Sequence, residues 1–323
     1  MPFPMEQEVG LIGFGEAGST FALAGDWAAA AHVYDAKTDA KTDAAATRDA
    51  MLAAYRQAGV LPARFLEDAL DGVGLILSLV TADQALAVAE AAAAMIAPDA
   101  LYCDMNSVAP QTKQAAARAI EAAGAHYVDV AVMAPVDPAR LNVPLLLSGV
   151  RADEAQARLA ALGFAKIRIV GADVGRASSI KMVRSVMVKG MEALTAECVL
   201  AAEAADVLDE VLASLDASEK AKPWGARADY NLDRMLVHGL RRAAEMEEVV
   251  KTLDGLGTGA AMTRGTVARQ RAIGALGVKM VPEGLGAKIG VVSSKVIPAQ
   301  SEIHLATSRQ EELLGDGFPP SRE

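Results

Sequence analysis

The residues whose types and spacing most clearly indicate a chemical role lie in a glycine-rich turn near the start of the chain. Residues 8–35 contain a short apolar run, a Gly13-x-Gly15-x-x-Gly18 turn, an alanine-rich helical segment, and a second apolar run that ends at Asp35. At such a turn, free N–H groups and the positive end of the helix dipole hold phosphates. The sequence therefore predicts a site for a pyrophosphate-like anion.

Each glycine of this turn has a physical task. Gly13 permits the tight turn, Gly15 lets the backbone approach a pyrophosphate, and Gly18 lets the helix pack closely on the strand. The motif alone is weak, and a plain glycine-rich βα turn is the alternative, but the strand, helix and acid that it requires are all present. The predicted ligand is a dinucleotide, bound by the residues of the turn: Gly13, Phe14, Gly15, Glu16, Ala17 and Gly18.

Asp35 bears on the choice between NAD and NADP. It follows Gly13 by 22 positions, near the spacing of a carboxylate that accepts hydrogen bonds from the ribose 2′-hydroxyl and repels a 2′-phosphate. Ala36 stands where NADP-preferring proteins tend to have an arginine, while Lys37 favours some tolerance of NADP. We therefore expect NAD as the cofactor, with NADP left open.

Composition limits the class of protein. The 323 residues are 52% hydrophobic, enough for two domains with sizeable cores, and the net charge of −10 argues against nucleic-acid binding through a basic surface. Cys103 and Cys198 form no CxxC pair and are expected to be buried, reduced thiols. No signal-peptide pattern opens the chain and no apolar run reaches the ~18 residues of a membrane span, so we expect a cytoplasmic protein.

Short β-like runs alternate with helical runs up to about residue 170. This alternation predicts an α/β fold over residues 1–172, a Rossmann-type, doubly wound and mostly parallel sheet that forms the dinucleotide-binding domain. Residues 173–323 are predicted to form a mostly α-helical substrate or dimerisation domain, with helical segments at 178–213, near 228–254, and in shorter pieces to about 276. Strands are expected at 8–13, 31–35, 73–80, 100–104, 126–132, 143–148 and 165–170.

The tail from about residue 282 has no predicted role. Residues 291–297 have the composition of a short strand, and residues 299–314 have some helical character. The hypotheses on function therefore rest on the chain before the tail.

Five segments in a fixed order resemble the β-hydroxyacid dehydrogenase and 6-phosphogluconate dehydrogenase superfamily. The ordered set is more specific than any single motif and spans about residues 8–275, and the helix SSIKMVRSVMVKGMEALTAE is similar to a less-studied branch of the superfamily. The segments are Gly13-Phe14-Gly15-Glu16-Ala17-Gly18, Ser78-Leu79-Val80-Thr81, Asp104-Met105-Asn106-Ser107 with Pro110, Val128-Asp129 with Pro135, and Gly175 with Lys181.

The resemblance implies roles for matching positions. Asn106 and Ser107 correspond to a polar pair beside the nicotinamide and the substrate, and Lys181 corresponds to the catalytic lysine at the start of the interdomain helix. Relatives often dimerise through the second domain, so a homodimer is expected. The loop after the fourth strand is implied to line the channel for the adenosine and the nicotinamide ribose: Leu79, Val80 and Thr81.

The sequence departs from the family pattern on the substrate side. Met133-Ala134-Pro135 stands where the family has a Ser-Gly-Gly loop, which predicts a more apolar contact beside the reacting carbon. Arg184 and Ser185 stand where the family has two asparagines. A Lys-Asp pair expected on a later helix has no clear counterpart. We expect Ser107, Met133, Ala134, Arg184 and Ser185 to bind a substrate that is unusual for the family.

Lys181 is the candidate general acid/base. Oxidation of an alcohol needs a group that takes the hydroxyl proton as hydride leaves for the nicotinamide, and a lysine can serve if its pKa falls toward neutrality. Arg184 lies one helical turn away, so its charge would lower the pKa of Lys181, and the pair would suit a carboxylate- or phosphate-bearing substrate. A solvated lysine and a surface salt bridge of Arg184 are the alternatives.

Three hypotheses on function stay open. The first is an NAD-dependent oxidoreductase that acts on a small hydroxy acid or similar alcohol. The second is an imine reductase, built on a similar plan but generally without the lysine at position 181. The third is a dinucleotide sensor that has kept the fold and lost the chemistry.

Other polar residues of the sequence have weaker indications. His238, Arg241 and Arg242 form a second polar cluster, which either completes the substrate pocket or is an ordinary helix surface. The histidines have no metal-ligand spacing, so no metal site is expected. Asp129 is expected to end a strand and to support the loop at 133–135.

Overall fold

A computed structural model describes residues 8–38, 45–218 and 223–294 of the chain. Its strands are β1 (Val9–Ile12), β2 (Ala31–Tyr34), β3 (Leu61–Pro62), β4 (Leu75–Ser78), β5 (Leu101–Asp104), β6 (His126–Val132), β7 (Leu145–Ser148) and β8 (Ile167–Gly171). Its α-helices are α1 (Glu16–Ala24), α2 (Ala45–Ala58), α3 (Ala85–Ala93), α4 (Pro110–Ala122), α5 (Ala152–Ala161), α6 (Arg176–Ala204), α7 (Leu208–Ser218), α8 (Trp224–Leu256) and α9 (Ala261–Gly274), and residues 285–294 are also helical.

The strands of the described residues form one sheet in the order β3-β2-β1-β4-β5-β6-β7-β8. Every neighbouring pair is parallel except β6 and β7. The order reverses at β1, where the chain crosses from one half of the sheet to the other, and ligands bind at the carboxyl ends of the strands beside such a point. The predicted α/β fold is confirmed.

Helices cover both faces of the sheet, as strands with unbroken apolar runs require. On one face, alternate residues of the strands pack with Phe21, Trp27 and Phe164 in the larger core cluster. On the other face, Ile76 and Tyr102 pack with the small side chains of α3 and α4. The strand ends that carry the candidate site are therefore supported by packed apolar side chains on both faces of the sheet.

One row of residues crosses the sheet at the carboxyl ends of β4 and β5. The register aligns Ser78 of β4 with Asp104 of β5, then with Asp129 of β6 and Ser148 of β7. Opposed residues of neighbouring strands share a face, and all four side chains are 0% exposed. These four residues are called the polar row below. Because the row is buried, its partners must come from within the protein.

The chain divides into two compact units, Met1–Met187 and Val188–Glu323. Helix α6 runs through the division, and the boundary predicted between residues 172 and 173 stays a prediction. In the second unit, α8 packs along α9, and Glu197 of α6 accepts hydrogen bonds from the N–H groups of Met262 and Thr263 at the start of α9. No helix in the described ranges is both long and apolar enough to cross a membrane.

Each unit contains one of the two tryptophans of the chain. Trp27 is 1% exposed and belongs to the core of the first unit, whereas Trp224, at the start of α8, is 55% exposed. The two indoles therefore lie in opposite environments.

Three details differ from the sequence-based expectations. The segment predicted at 178–213 is two helices, because Asp206 adopts a left-handed conformation with φ of 57° between α6 and α7. Residues 291–294 are helical rather than the start of a strand, and residues 295–323, with the helical character expected at 299–314, lie outside the described residues. Cys103 is buried as expected, with its pKa raised to about 12 by burial, but Cys198 is only half-buried.

Candidate active site

The glycine-rich turn joins β1 to α1 at the carboxyl edge of the sheet. Gly13 has φ of 93°, and a side chain there would place its Cβ 2.4 Å from the carbonyl oxygen of Leu79. At Gly18 a Cβ would lie 2.4 Å from the carbonyl oxygen of Gly13. Both positions therefore exclude any residue with a side chain. The turn is held in the tight form that the sequence motif predicts.

The start of α1 has the features that a phosphate group requires. Gly15 precedes the helix, and a Cβ built there meets no atom within 4 Å, so open space lies against the backbone. No side chain of the described residues caps this helix end, which leaves its first N–H groups for a ligand. Glu16 occupies the first turn and is exposed. The residues present fit the pyrophosphate of a dinucleotide.

Asp35 lies directly after β2, beside the same turn. One of its carboxylate oxygens accepts the N–H of Phe14 at 2.8 Å, and the other accepts the N–H of Lys37 at 2.9 Å. Each carboxylate oxygen can accept a further hydrogen bond, and the side chain is half-exposed. The carboxylate is therefore oriented toward the turn and retains capacity for a ribose hydroxyl.

Asn106 fixes the loop that follows β4. Its Oδ1 accepts the N–H of Val80 at 2.6 Å, and its Nδ2 donates to Ser78 Oγ at 3.0 Å. The side chain is 4% exposed, so both ends of the amide are committed within the protein. Among the loop residues predicted to line the cofactor channel, Leu79 and Val80 are half-buried and Thr81 is exposed. Asn106 therefore fixes the backbone of this loop at Val80.

Lys113 of α4 is a buried cation that sequence reasoning missed. Its Nζ donates to the carbonyl oxygen of Asp104 at 2.6 Å and to Asp104 Oδ1 at 2.9 Å, and lies 3.5 Å from Asp129 Oδ1. The side chain is 0% exposed. A sequence signal did exist, because Lys113 shares helical spacing with Ala116, Ala117 and Ile120, so it stands on the apolar face of its helix.

Asp104 has two further partners. Its Oδ1 accepts the N–H of Asn106 at 2.9 Å, and its Oδ2 accepts the hydroxyl of Tyr127 at 2.6 Å. Burial and the nearby Asp104 carboxylate raise the pKa of Tyr127 far above its ordinary value, so the hydroxyl stays protonated as a donor. The carboxylate is thereby bonded on both oxygens.

Asp129 differs from its expected role. It lies within β6 rather than at its end, and its Oδ2 accepts the N–H of Ser178 at 2.9 Å. Its carboxylate thus holds the start of α6. The strand register that brings Asp129 to this helix cannot be read from the sequence. The loop at 133–135 has its own support, because the N–H of Met133 donates to the carbonyl oxygen of Pro144 at 2.9 Å.

The first turns of α6 carry the predicted catalytic face. Lys181 is half-buried and Arg184 is exposed. The hydroxyl of Ser185 donates to the carbonyl oxygen of Lys181 at 2.9 Å, so it is engaged with the helix backbone. Met133 packs in a small apolar cluster that includes Ala177 of α6, which places the loop at 133–135 beside the start of this helix. Ser107 and Ala134 are exposed.

The second polar cluster belongs to α8, in the second unit. His238 and Arg242 are both half-buried, and Arg241 is exposed. A separate apolar cavity of about 290 Å³ lies in that unit between α6, α7, α8 and α9, lined by residues such as Leu194, Ala201, Leu253 and Thr263. None of the predicted site residues lines this cavity.

Replacement of Gly15 by alanine should separate cofactor binding from folding. The new methyl group would occupy open space on the protein side but would block close approach of the pyrophosphate, so the Kd for NADH should rise about tenfold or more. NADH fluorescence titration measures the affinity, and thermal unfolding measures the stability, which should not change. Gly225→Ala is the matched control, because a Cβ there also meets no atom within 4 Å. Equal NADH affinity in both variants would contradict the assigned phosphate site.

Comparisons with known proteins agree with this geometry. The family described as NAD binding domain of 6-phosphogluconate dehydrogenase matches residues 8–171, and the family described as Domain of unknown function (DUF1932) matches residues 202–273. The first match covers half of the chain and contains the sheet, the glycine-rich turn and the polar row.

Solved structures extend the likeness to both units. A conserved hypothetical protein from Sinorhizobium meliloti 1021 is 36% identical, with 91% of this chain and 98% of that chain covered and a TM-score of 0.55. A conserved protein of unknown function, described as structurally similar to 3-hydroxyacid dehydrogenases, is 27% identical over 82% of this chain and 96% of its own, with a TM-score of 0.51. An imine reductase from Streptomyces aurantiacus shares the fold. It is 23% identical, with 88% of this chain and 99% of that chain covered and a TM-score of 0.63.

The matched domain contains both the dinucleotide turn and Asp35, whose carboxylate accepts the N–H of Phe14 in that turn. The chain therefore belongs to the family of the NAD binding domain of 6-phosphogluconate dehydrogenase, and its first domain is an NAD-binding domain.

Proposed function

We propose that this protein transfers a hydride between NAD and a small anionic hydroxy acid, with Lys181 as the general acid/base. The observation that carries the proposal is the position of Lys181, on the first turns of a helix whose start is bonded to the same buried row that shapes the Asn106 loop. A proton-transferring group must be held in register with the nicotinamide for the reaction to proceed. The hydrogen bonds from Asp129 and Ser148 to the start of α6 restrain the helix that carries Lys181, and this restraint supports the proposal.

The charge on α6 supports an anionic substrate. Arg184 is exposed one turn after Lys181, and a guanidinium can bind a carboxylate with two hydrogen bonds. Met133, beside the start of the helix, supplies an apolar contact in place of the polar family loop. We infer that Arg184 binds the substrate anion and that Met133 contacts the carbon skeleton next to the reacting carbon.

Imine reduction is the second candidate function. Imine reductases share the fold, as the protein from Streptomyces aurantiacus illustrates, but a likeness of 23% identity speaks for the fold alone. The presence of Lys181 favours the alcohol reaction, because that lysine supplies the acid/base group that oxidation of a hydroxyl requires.

Dimerisation and a cytoplasmic location stay predictions.

Removal of the Lys181 amine should abolish most of the turnover while leaving the cofactor bound. NAD reduction, followed at 340 nm over a panel of 3-hydroxy acids and sugar acids, should fall by roughly 10²- to 10⁴-fold in Lys181→Ala, because the proton acceptor is lost. NADH affinity, measured by fluorescence titration, should stay unchanged.

Lys166→Ala, which removes an exposed lysine of the same unit, is the control and should keep full activity. Turnover of an alcohol that survives Lys181→Ala would make the lysine structural. Turnover of cyclic imines alone, unaffected by the substitution, would favour imine reduction. Binding of NADH with no turnover of any compound would favour a sensor.

The proposed anion contact predicts a change in KM. Arg184→Ala should raise KM for the anionic substrate by about tenfold or more with a smaller effect on kcat, because a ground-state contact is lost. Steady-state kinetics on the substrate from the panel measures both constants. Arg168→Ala removes another exposed guanidinium of the first unit and should leave KM unchanged. An unaltered KM in Arg184→Ala would reject the anion contact.

Asp35 should set the preference for NAD. Asp35→Asn removes the charge that repels a 2′-phosphate, so the ratio of NADPH to NADH affinity should rise about tenfold. Fluorescence titration with both cofactors measures the ratio without any substrate. Asp49→Asn, on the exposed surface of α2, is the control. A ratio that stays constant in Asp35→Asn would show that this carboxylate does not face the ribose.

A further inference from the structure

The start of α6 is capped entirely by groups outside the helix. The N–H of Arg176 donates to the carbonyl oxygen of Asp173 at 3.2 Å. The next two N–H groups reach the polar row, since that of Ala177 donates to Ser148 Oγ at 3.0 Å and that of Ser178 to Asp129 Oδ2 at 2.9 Å. A helix leaves these first N–H groups without partners of its own, so the row supplies them from neighbouring strands.

Asp129 is the centre of this cap. Its Oδ2 also accepts the N–H of Gly175 at 3.2 Å and the hydroxyl of Ser148 at 3.2 Å. A carboxylate that accepts several N–H groups at the positive end of a helix dipole is strongly favoured there. The other oxygen, Oδ1, makes no hydrogen bond to the described residues and faces the Lys113 ammonium at 3.5 Å.

Lys113 also bonds Asp104, the member of the polar row next to Asp129. It donates to Asp104, whose carboxylate orders the backbone of Asn106. Asn106 in turn fixes Val80 in the loop after β4. A continuous path of buried polar contacts thus leads from the Val80 loop, through Asn106, Asp104, Lys113 and Asp129, to the first turn of α6.

We propose that Lys113 and Asp129 are positioning residues that set Lys181 in register with the nicotinamide side of the cofactor site. This role rests on the proposed function of Lys181. One buried ammonium lies between two buried carboxylates, one of which orders the cofactor loop and the other the helix that carries Lys181. In a dry interior neither carboxylate has another cation within reach among the described residues, so both depend on Lys113.

The role predicts a distinct pattern for each end of the path. Asp129→Asn keeps the side-chain shape and removes the charge, so only the α6 end should loosen. Tyr127→Phe removes the hydroxyl on Asp104, so only the loop end should loosen. Lys113→Met removes the shared cation and should loosen both ends.

Hydrogen exchange with peptide mass spectrometry, together with NADH titration, measures the pattern without a substrate. In Asp129→Asn the amides at 175–182 should exchange about tenfold faster, with NADH affinity and the amides at 78–81 and 106–108 unchanged. In Tyr127→Phe the loop amides should exchange faster and the Kd for NADH should rise, with α6 unchanged. Lys113→Met should show both changes. If this variant does not fold, Asp129→Asn and Tyr127→Phe decide whether the two ends of the path respond separately.

Val128→Ala is the control for a general loss of stability, since it removes core atoms next to Asp129 without touching the path. Equal acceleration of exchange throughout the first unit in Asp129→Asn, as in this control, would overturn the positioning role. With a substrate in hand, Asp129→Asn should lower kcat and leave KM nearly unchanged, and an unchanged kcat would also overturn it. If the wild type turns over no hydroxy acid, the proposed function fails, while the exchange pattern still decides whether the path exists.

Discussion

Two carboxylates buried side by side in a sheet are the constraint on which the site depends. Asp104 and Asp129 lie on adjacent strands in the same register, and each is excluded from water. Burial of a charge is costly unless it is paired and hydrogen-bonded, so the surrounding chain has to provide a cation and donors. Lys113, Tyr127 and the N–H groups of Asn106 and Ser178 provide them, and these contacts also fix the loop after β4 and the start of α6.

The two helices that carry candidate site residues, α1 and α6, begin in opposite ways. At α1 the N–H groups face open space beside Gly15, which suits a phosphate that arrives with the cofactor. At α6 the equivalent groups are already satisfied by Asp129 and Ser148. The same electrostatic preference of a helix start thus serves ligand binding in one place and permanent anchoring in the other.

Much of the fold was predictable because its signals are local. Apolar runs, alanine-rich segments and the spacing of the glycines define strands, helices and the dinucleotide turn within a few residues of one another. The two-residue strand β3 gave no such signal, since both of its residues are exposed at the sheet edge. The break between α6 and α7 was missed because it depends on a single left-handed residue, Asp206, without glycine or proline.

The candidate site was predictable only in part, for a related reason. The glycine turn and Asp35 are found by spacing, but Asp104, Asp129 and Lys113 meet through sheet register and helix packing over long sequence separations. The hydrogen bonds of the Asn106 amide with Val80 and Ser78 likewise join residues 26 and 28 positions apart. A lysine on the apolar face of α4 was the one local trace of this network.

The placement of the two tryptophans has a practical consequence. Trp27 is enclosed in the core of the NAD-binding domain, and Trp224 is largely open to water at the start of α8. An indole in an apolar core emits at shorter wavelength than one in water, so the two units carry spectrally separate fluorophores. Intrinsic emission of the unlabelled protein can thus distinguish loss of the dinucleotide-binding core from changes around the helical unit.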